Sequence, residues 1–375
     1  MMFDRTERGL LARWWWTVDR PLLGVLGLLA LSGLIMVFAS SPPVAVRLGL
    51  PSWHFVTRHL IYLAPAVLLL CGCSLLSPRG VYRAATALLG ISLAMLVAAL
   101  FIGVETHGAT RWISFGAFAV QPGEFAKPAL IVVGAATLAR APGLDNAWPV
   151  LGLGMVTMLL LLAQPDVGMA LMVGAVLAVQ LFIAGLPWLL VLAALGISLL
   201  ILWQAYHWFP HVAGRIDRFL DPASGDHYQV GLALKAVKSA AWFGSGPGEG
   251  RLKNQIPDAH SDFVFAVAAE EFGLIACLLL IGLFSFIVLR GLRRTELVSD
   301  RFALIAGAGL LAHFGLQAMV NLGVNLSVLP ATGMTLPFIS YGGSALCAMS
   351  IGMGMFLALT RRRLGHGAAP PGASP

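Results

Sequence analysis

A chain of 375 residues that is 58% hydrophobic and only 11% charged, with a mean hydropathy of +0.85, falls outside the composition of soluble globular proteins. The net charge of +7 does not point to nucleic acid, because the Lys and Arg residues cluster at the ends of apolar stretches, where they act as topology signals. Cys71, Cys73, Cys277 and Cys347 all fall inside apolar stretches, so neither a disulfide framework nor a metal site is implied.

The first apolar run follows Arg5, Arg8, Arg13 and Arg20. It has the flanks of a signal peptide, but further apolar segments follow at once and no small-residue cleavage site is evident, so it reads as an uncleaved first span. Hydropathy and breaker residues predict spans at 22–40, 57–76, 82–103, 124–140, 148–164, 168–185, 187–206, 263–290, 302–322 and 344–360. With an even number of spans, placing Arg79, Arg83, Arg140, Arg290, Arg293, Arg294, Arg301 and Arg361-Arg362-Arg363 in the cytoplasm puts both termini there. The expected fold is an all-α membrane protein, a polytopic bundle of about ten transmembrane helices over 22–362. A cytoplasmic segment, 1–21, precedes the bundle and a disordered, Pro-rich tail, 363–375, follows it. Stretches 104–123, 207–262 and 323–343 then face outward, the second as a large outer loop between spans seven and eight.

Polar residues gather at these outward ends. Arg111-Trp112-Ile113 precedes the fourth span, and Trp112 by itself suits an interfacial anchor. Glu124 and Lys127 open that span three residues apart, a spacing that lets them pair on one helical face. Gln164-Pro165-Asp166 opens the sixth span, where Asp166 can cap the helix. Arg215 lies in the large loop as an ordinary solvated charge. Gly244-Ser-Gly-Pro-Gly-Glu-Gly250 superficially suggests a phosphate loop, but no Gly-Lys-Ser/Thr follows, and it reads as a flexible outer loop. Pro257-Asp-Ala-His-Ser-Asp-Phe-Val-Phe265 then runs into the eighth span and sets Asp262 at the water–lipid boundary. Asp262 has two readings, a helix N-cap or a reactive carboxylate, and Ser261 could serve as the cap instead. In Ser340-Tyr341-Gly342-Gly343-Ser344 the glycines could bring backbone N–H groups to an anion, or simply pack helices tightly.

Inside the bilayer, Glu270 lies eight residues inward from Asp262, roughly 12 Å at ~1.5 Å per residue. His313 lies twelve residues from Arg301 at the other face, roughly 18 Å by the same rise. The depths sum to the ~30 Å core. One of Glu270 and Glu271 is therefore expected to pair with His313, the other finding another partner such as Gln317. The alternative is a neutral glutamic acid bonded to a backbone carbonyl.

The segments 164–168, 244–265 and Gly333-Met-Thr-Leu-Pro-Phe-Ile-Ser-Tyr-Gly-Gly-Ser344, in this order and over nearly the whole chain, resemble the shape, elongation, division and sporulation (SEDS) family. The Pro-Asp-Ala-His spelling, Gly-Met-Thr-Leu-Pro-Phe and the opening Trp14-Trp-Trp-Thr-Val-Asp19 look more like its division branch, FtsW, than its elongation and cell-shape branch, RodA. The resemblance implies a peptidoglycan glycosyltransferase of cell-wall biogenesis. Such an enzyme polymerises lipid II at the outer face of the bacterial inner membrane, at the division septum, beside a class B penicillin-binding protein and other division proteins. It maps the catalytic aspartate onto Asp262 and a polar cavity onto Arg111, Trp112, Glu124 and Lys127, and it makes Asp166 and Arg215 further candidates. An α-linked donor attacked in line would give an inverted product, with Asp262 as the base. Tyr341, Gly342, Gly343 and Ser344 join the candidate substrate-binding set as the anion-holding segment.

Two rivals are a lipid II flippase and a non-catalytic scaffold. A flippase needs ionisable groups spaced through the bilayer, whereas here most sit on one side. No cofactor is certain. A divalent cation, Mg²⁺ or Mn²⁺, could assist a departing pyrophosphate, although the sequence carries no metal-ligand cluster.

Overall fold

The computed structural model describes residues 9–106, 109–116, 118–140, 144–208, 210–220 and 228–361. The tail predicted to be disordered lies outside them. A short helix α1 (Leu10–Thr17) leads into α2 (Arg20–Arg47), α3 (His54–Leu75) and α4 (Pro78–Ile102). Strands β1 (Val104–Thr106), β2 (Ala109–Phe115) and β3 (Phe118–Val120) precede α5 (Pro122–Leu138), α6 (Ala147–Ala163), α7 (Val167–Ile183) and α8 (Trp188–Trp208). Then come α9 (Pro210–Leu220), α10 (Tyr228–Lys238), α11 (Val264–Glu296), α12 (Arg301–Asn325) and α13 (Gly343–Leu359).

Each predicted span coincides with a helix, and the chain is a multi-pass helical membrane protein. Six of these helices are long and apolar enough to cross a bilayer by length and composition. Helices α5, α6, α7 and α13 have 17 residues each, the short end of the spanning range. Local chemistry sets the ends. Ser77 accepts the Gly80 N–H at 3.1 Å with Pro78 as first helical residue, so α4 begins four residues before the predicted span. Small residues allow close packing: a methyl on Gly354 of α13 would stand 2.6 Å from the Leu70 carbonyl oxygen of α3.

The stretches expected to face outward are more ordered than their sequence suggests. Residues 104–106, 109–115 and 118–120 form an antiparallel meander, β1-β2-β3, with Val104 opposite Trp112 and Ile113 opposite Val120. The large loop contains α9 and α10. The glycine-rich run 244–250, expected to be flexible, is instead built into α11. Gly273 (φ 78°, ψ −175°) breaks that helix, a conformation that suits glycine. The Leu274 N–H then turns to the Ala241 carbonyl (3.0 Å), while the Glu270 and Glu271 carbonyls accept the N–H groups of Ser245 (2.9 Å) and Gly246 (3.0 Å). The loop backbone thus replaces the missing rungs of the helix, as an irregular segment at membrane depth requires.

Candidate active site

Asp262 stands one residue before the N-cap of α11, Phe263, which makes no side-chain cap. The cap expected from Ser261 or Asp262 is not made. Instead Asn325 of α12 reaches across, its Oδ1 accepting the Ala266 N–H at 3.1 Å. The same side chain donates through Nδ2 to the Asp262 carbonyl at 2.9 Å, and Asn321 donates to that carbonyl at 3.0 Å. From the other side the Ser340 hydroxyl donates to the Ser261 carbonyl, and the Tyr341 N–H to the His260 carbonyl at 2.9 Å. The backbone on both sides of Asp262 is therefore held by α12 and by the segment before α13, and its half-buried carboxylate is not used in capping.

Asn325→Leu keeps the volume and removes these bonds, leaving buried polar groups unpaired. It is expected to cost about 1–3 kcal/mol in thermal unfolding and to lower kcat more than KM. Wild-type melting and kinetics in this variant would contradict the clamp.

The segment before α13 runs close to both Asp262 and a cavity. Gly333 (φ 74°) is placed so that a methyl on it would stand 3.9 Å from Asp262 Oδ2. Its neighbours Thr332 and Met334 line a cavity of roughly 330 Å³, bounded by α7, α8, α9 and α12, with Arg111 and Asp166 also in its wall. Arg111 lies 3.6 Å from Asp166 and donates to the Pro165 carbonyl at 3.4 Å. Its buried Nε has no partner among the described residues. Asp166 also caps α7 as predicted, accepting the Met169 N–H at 3.3 Å.

Lys127 lies behind this wall rather than in it. It pairs with Glu124 at 2.9 Å as the spacing predicted, and donates to Gln317 Oε1 at 3.1 Å. Gln317 in turn donates to the Thr335 carbonyl (3.1 Å) and Asn321 to that of Met334 (2.7 Å), so the ion pair supports the segment that carries Gly333. Strand alternation puts Trp112 on the face of β2 opposite Arg111, away from the cavity to which the resemblance assigned it. The side chain of Arg215 lies outside the described residues. Ser344 accepts the Gln121 N–H at 3.1 Å. Gly343 is taken up in packing, since a methyl there would lie 2.6 Å from the Tyr62 ring.

The expected pairing of Glu270 or Glu271 with His313 is not made. Glu270 accepts the N–H groups of Leu252 (2.7 Å) and Lys253 (2.9 Å), while Glu271 pairs with Lys253 and accepts the Gly248 N–H at 3.0 Å. The loop 244–254 enters at that level and takes both carboxylates, which depth along straight helices does not register. His313 instead neighbours Gln317 and Lys127.

The residues that sequence reasoning missed are Asn321 and Asn325, with Gln317 placed wrongly. The signal was present: His313, Gln317, Asn321 and Asn325 recur every four residues, one polar stripe on an apolar helix.

His260, Phe55 and Tyr341 pack together, with ring centroids 4.3 Å apart for Phe55 and His260 and 5.2 Å for His260 and Tyr341. Burial pushes the His260 imidazole down to about 4, with nearby Asp258 opposing and Arg47 adding. A folded value below the unfolded ~6.5 means the unfolded chain binds the extra proton between those pH values. Stability from this residue is thus complete above about pH 6.5 and is lost as pH falls toward 4. The loss should reach roughly 2 kcal/mol by pH 5. Melting temperatures that fall from pH 7 to 5 as steeply in His260→Phe as in wild type would contradict this.

Among the described residues no group of three His, Cys, Asp or Glu side chains is placed to hold a metal ion. A cation bridging a pyrophosphate would have to take most of its ligands from the phosphates and water.

Known proteins resemble this chain over nearly its whole length. The family described as "Cell cycle protein" (FtsW, RodA, SpoVE) matches residues 19–364. The chain belongs to the FtsW/RodA/SpoVE family. Within the family, a probable peptidoglycan glycosyltransferase FtsW of Caulobacter vibrioides is 42% identical, the match covering 97% of this chain and 94% of that one. One of the same name from Aliivibrio salmonicida is 34% identical over 90% of this chain and 88% of its own. A solved peptidoglycan synthase complex that coordinates polymerization and crosslinking superposes with a TM-score of 0.76 at 31% identity, covering 92% of this chain and 97% of that one. The rod shape determining protein RodA of Thermus thermophilus gives 0.70 at 29%, with the same coverages.

Proposed function

We propose that this family member is a peptidoglycan glycosyltransferase of the FtsW type, polymerising lipid II at the outer face of the inner membrane during septal division. The reading is carried by one observation: the carboxylate of Asp262, which caps no helix, stands close to Gly333, whose neighbours Thr332 and Met334 line the cavity that holds Arg111. In the proposed step Asp262 takes the proton of the acceptor sugar hydroxyl as its oxygen attacks the anomeric carbon. The bond to the lipid pyrophosphate breaks with inversion, and the pyrophosphate leaves with the electron pair. Pyrophosphate needs charge stabilisation more than a proton. The guanidinium of Arg111, part of the cavity wall, supplies it, with Asp166 orienting that group. Lys127, Glu124, Gln317 and Asn321 keep the Gly333 segment in place.

The ten helices are read as ten spans with both termini cytoplasmic, and 207–262 as a periplasmic segment holding α9 and α10. Charge placement supports that orientation. The division role, with a class B penicillin-binding protein and other division proteins as partners, follows the naming of the relatives and the solved synthase complex. The elongation role of RodA is the alternative that the structural neighbours leave open.

Purified protein in lipid vesicles containing lipid II tests the reading. Glycan strands support it; translocated but unpolymerised lipid, or unchanged lipid, would replace it with a flippase or a scaffold. Arg111→Lys retains charge but loses the planar fork, and is expected to weaken lipid II affinity about tenfold. Unchanged affinity in Arg111→Lys and Arg111→Ala removes Arg111 from the site.

A further inference from the structure

At the far end of α11 from Asp262, Arg290, Arg293 and Arg294 share an open groove of about 380 Å³ with Phe286, Leu289 and Leu297. Asp19, the buried N-cap of α2, accepts the Nε–H of Arg290 at 2.8 Å and the Nε–H of Arg294. Burial opposes ionisation of Asp19, but its bonds from Arg290, from the Leu22 N–H and from Arg294 prevail and hold its carboxyl below the usual range, so it is charged. One carboxylate therefore fixes two guanidiniums, each through Nε alone. Among the described residues their Nη groups have no hydrogen-bond partner, and Arg293 is exposed with none. Three cations against one carboxylate leave the groove with a surplus of two positive charges.

A topology signal accounts for arginines at this level, but not for a carboxylate that holds two of them in a fixed frame. Arg290, Arg293 and Arg294 lie in the last turns of α11, which closes at Glu296, at its opposite end from Asp262. Basic residues closing a long apolar helix belong at the headgroup level, where the charge leaves the hydrocarbon core. The remaining walls are apolar and open: Leu289 is 60% and Leu297 77% exposed. An occupant must combine an anionic oxygen cluster with acyl chains.

We propose that this groove binds the headgroup of an acidic phospholipid, its phosphate held by the free Nη groups of Arg290 and Arg294 and by Arg293, its chains along Phe286 and Leu289. Planar forks suit phosphate, and a basic pocket at a helix end suits such headgroups. The leaflet, the inner one, follows from the proposed orientation; the headgroup chemistry does not depend on it.

The test uses the full-length protein in detergent, with native mass spectrometry reading lipid retention from equimolar phosphatidylglycerol, diphosphatidylglycerol, phosphatidylcholine and a polyprenyl pyrophosphate. Acidic phospholipid should be retained at least tenfold over phosphatidylcholine. Retention should fall fivefold or more in Arg293→Gln, which removes no contact of the fold, and in Arg294→Lys, which keeps a cation for Asp19. Arg79→Gln, elsewhere on the same face, should change nothing. Equal retention of the neutral lipid, insensitivity to both groove variants, or preference for the polyprenyl pyrophosphate would each overturn the proposal.

Discussion

Asp262→Asn is expected to slow strand formation at least 100-fold, within the ~10²–10⁴ contributed by a positioned acid–base group, while leaving thermal stability within about 1 kcal/mol of wild type. The two halves of this expectation have separate causes. Rate falls because the amide cannot accept the proton of the attacking hydroxyl. Stability holds because the fold engages the backbone of Asp262 rather than its side chain as a cap: Asn321 and Asn325 bond its carbonyl, and Asn325 takes the Ala266 N–H that a capping carboxylate would otherwise serve. A variant that polymerises normally removes the base. One that melts far below wild type would mean the carboxylate has a structural role.

Lys253→Met should have the largest effect on stability. The Lys253 and Glu271 side chains are 6% and 0% exposed, and Lys253 also donates to the Ala39 carbonyl of α2 at 3.1 Å. Removing the cation leaves a buried carboxylate whose remaining hydrogen-bond donor among the described residues is the Gly248 N–H, and breaking such a pair costs about 3–5 kcal/mol. Lys253→Met combined with Glu271→Gln removes both charges and should recover most of the loss, because a buried pair is worth little against neutral groups of similar size. Melting in detergent reads both. A single variant within about 1 kcal/mol of wild type, or a double variant no better than the single, would show that the loop is not fastened through this pair.

The contrast between these sites shows what the sequence can disclose. Long apolar runs with terminal charges announce helices by themselves, so every predicted span met a helix; Glu124 with Lys127 and the Asp166 cap were legible because their partners lie three residues away. Asp262 was singled out by its place at a boundary and by resemblance. What stayed hidden depends on distant segments. Lys253 and Gly248 meet Glu271 only because Gly273 breaks α11 and lets a loop enter it, and neither hydropathy nor depth counting along straight helices registers that insertion. Asn321 and Asn325 were readable as a polar stripe, but their target, a carbonyl 59 and 63 residues earlier, was not.

If this chain forms glycosidic bonds with Asp262 as base, the first condensation between two lipid II molecules will show it. Purified protein, mixed with lipid II and quenched at early times, should release one polyprenyl pyrophosphate for each new β-linkage, with Asp262→Asn showing neither product on the same timescale. Pyrophosphate release without linkage, linkage of unchanged anomeric configuration, or equal rates in wild type and Asp262→Asn would contradict it.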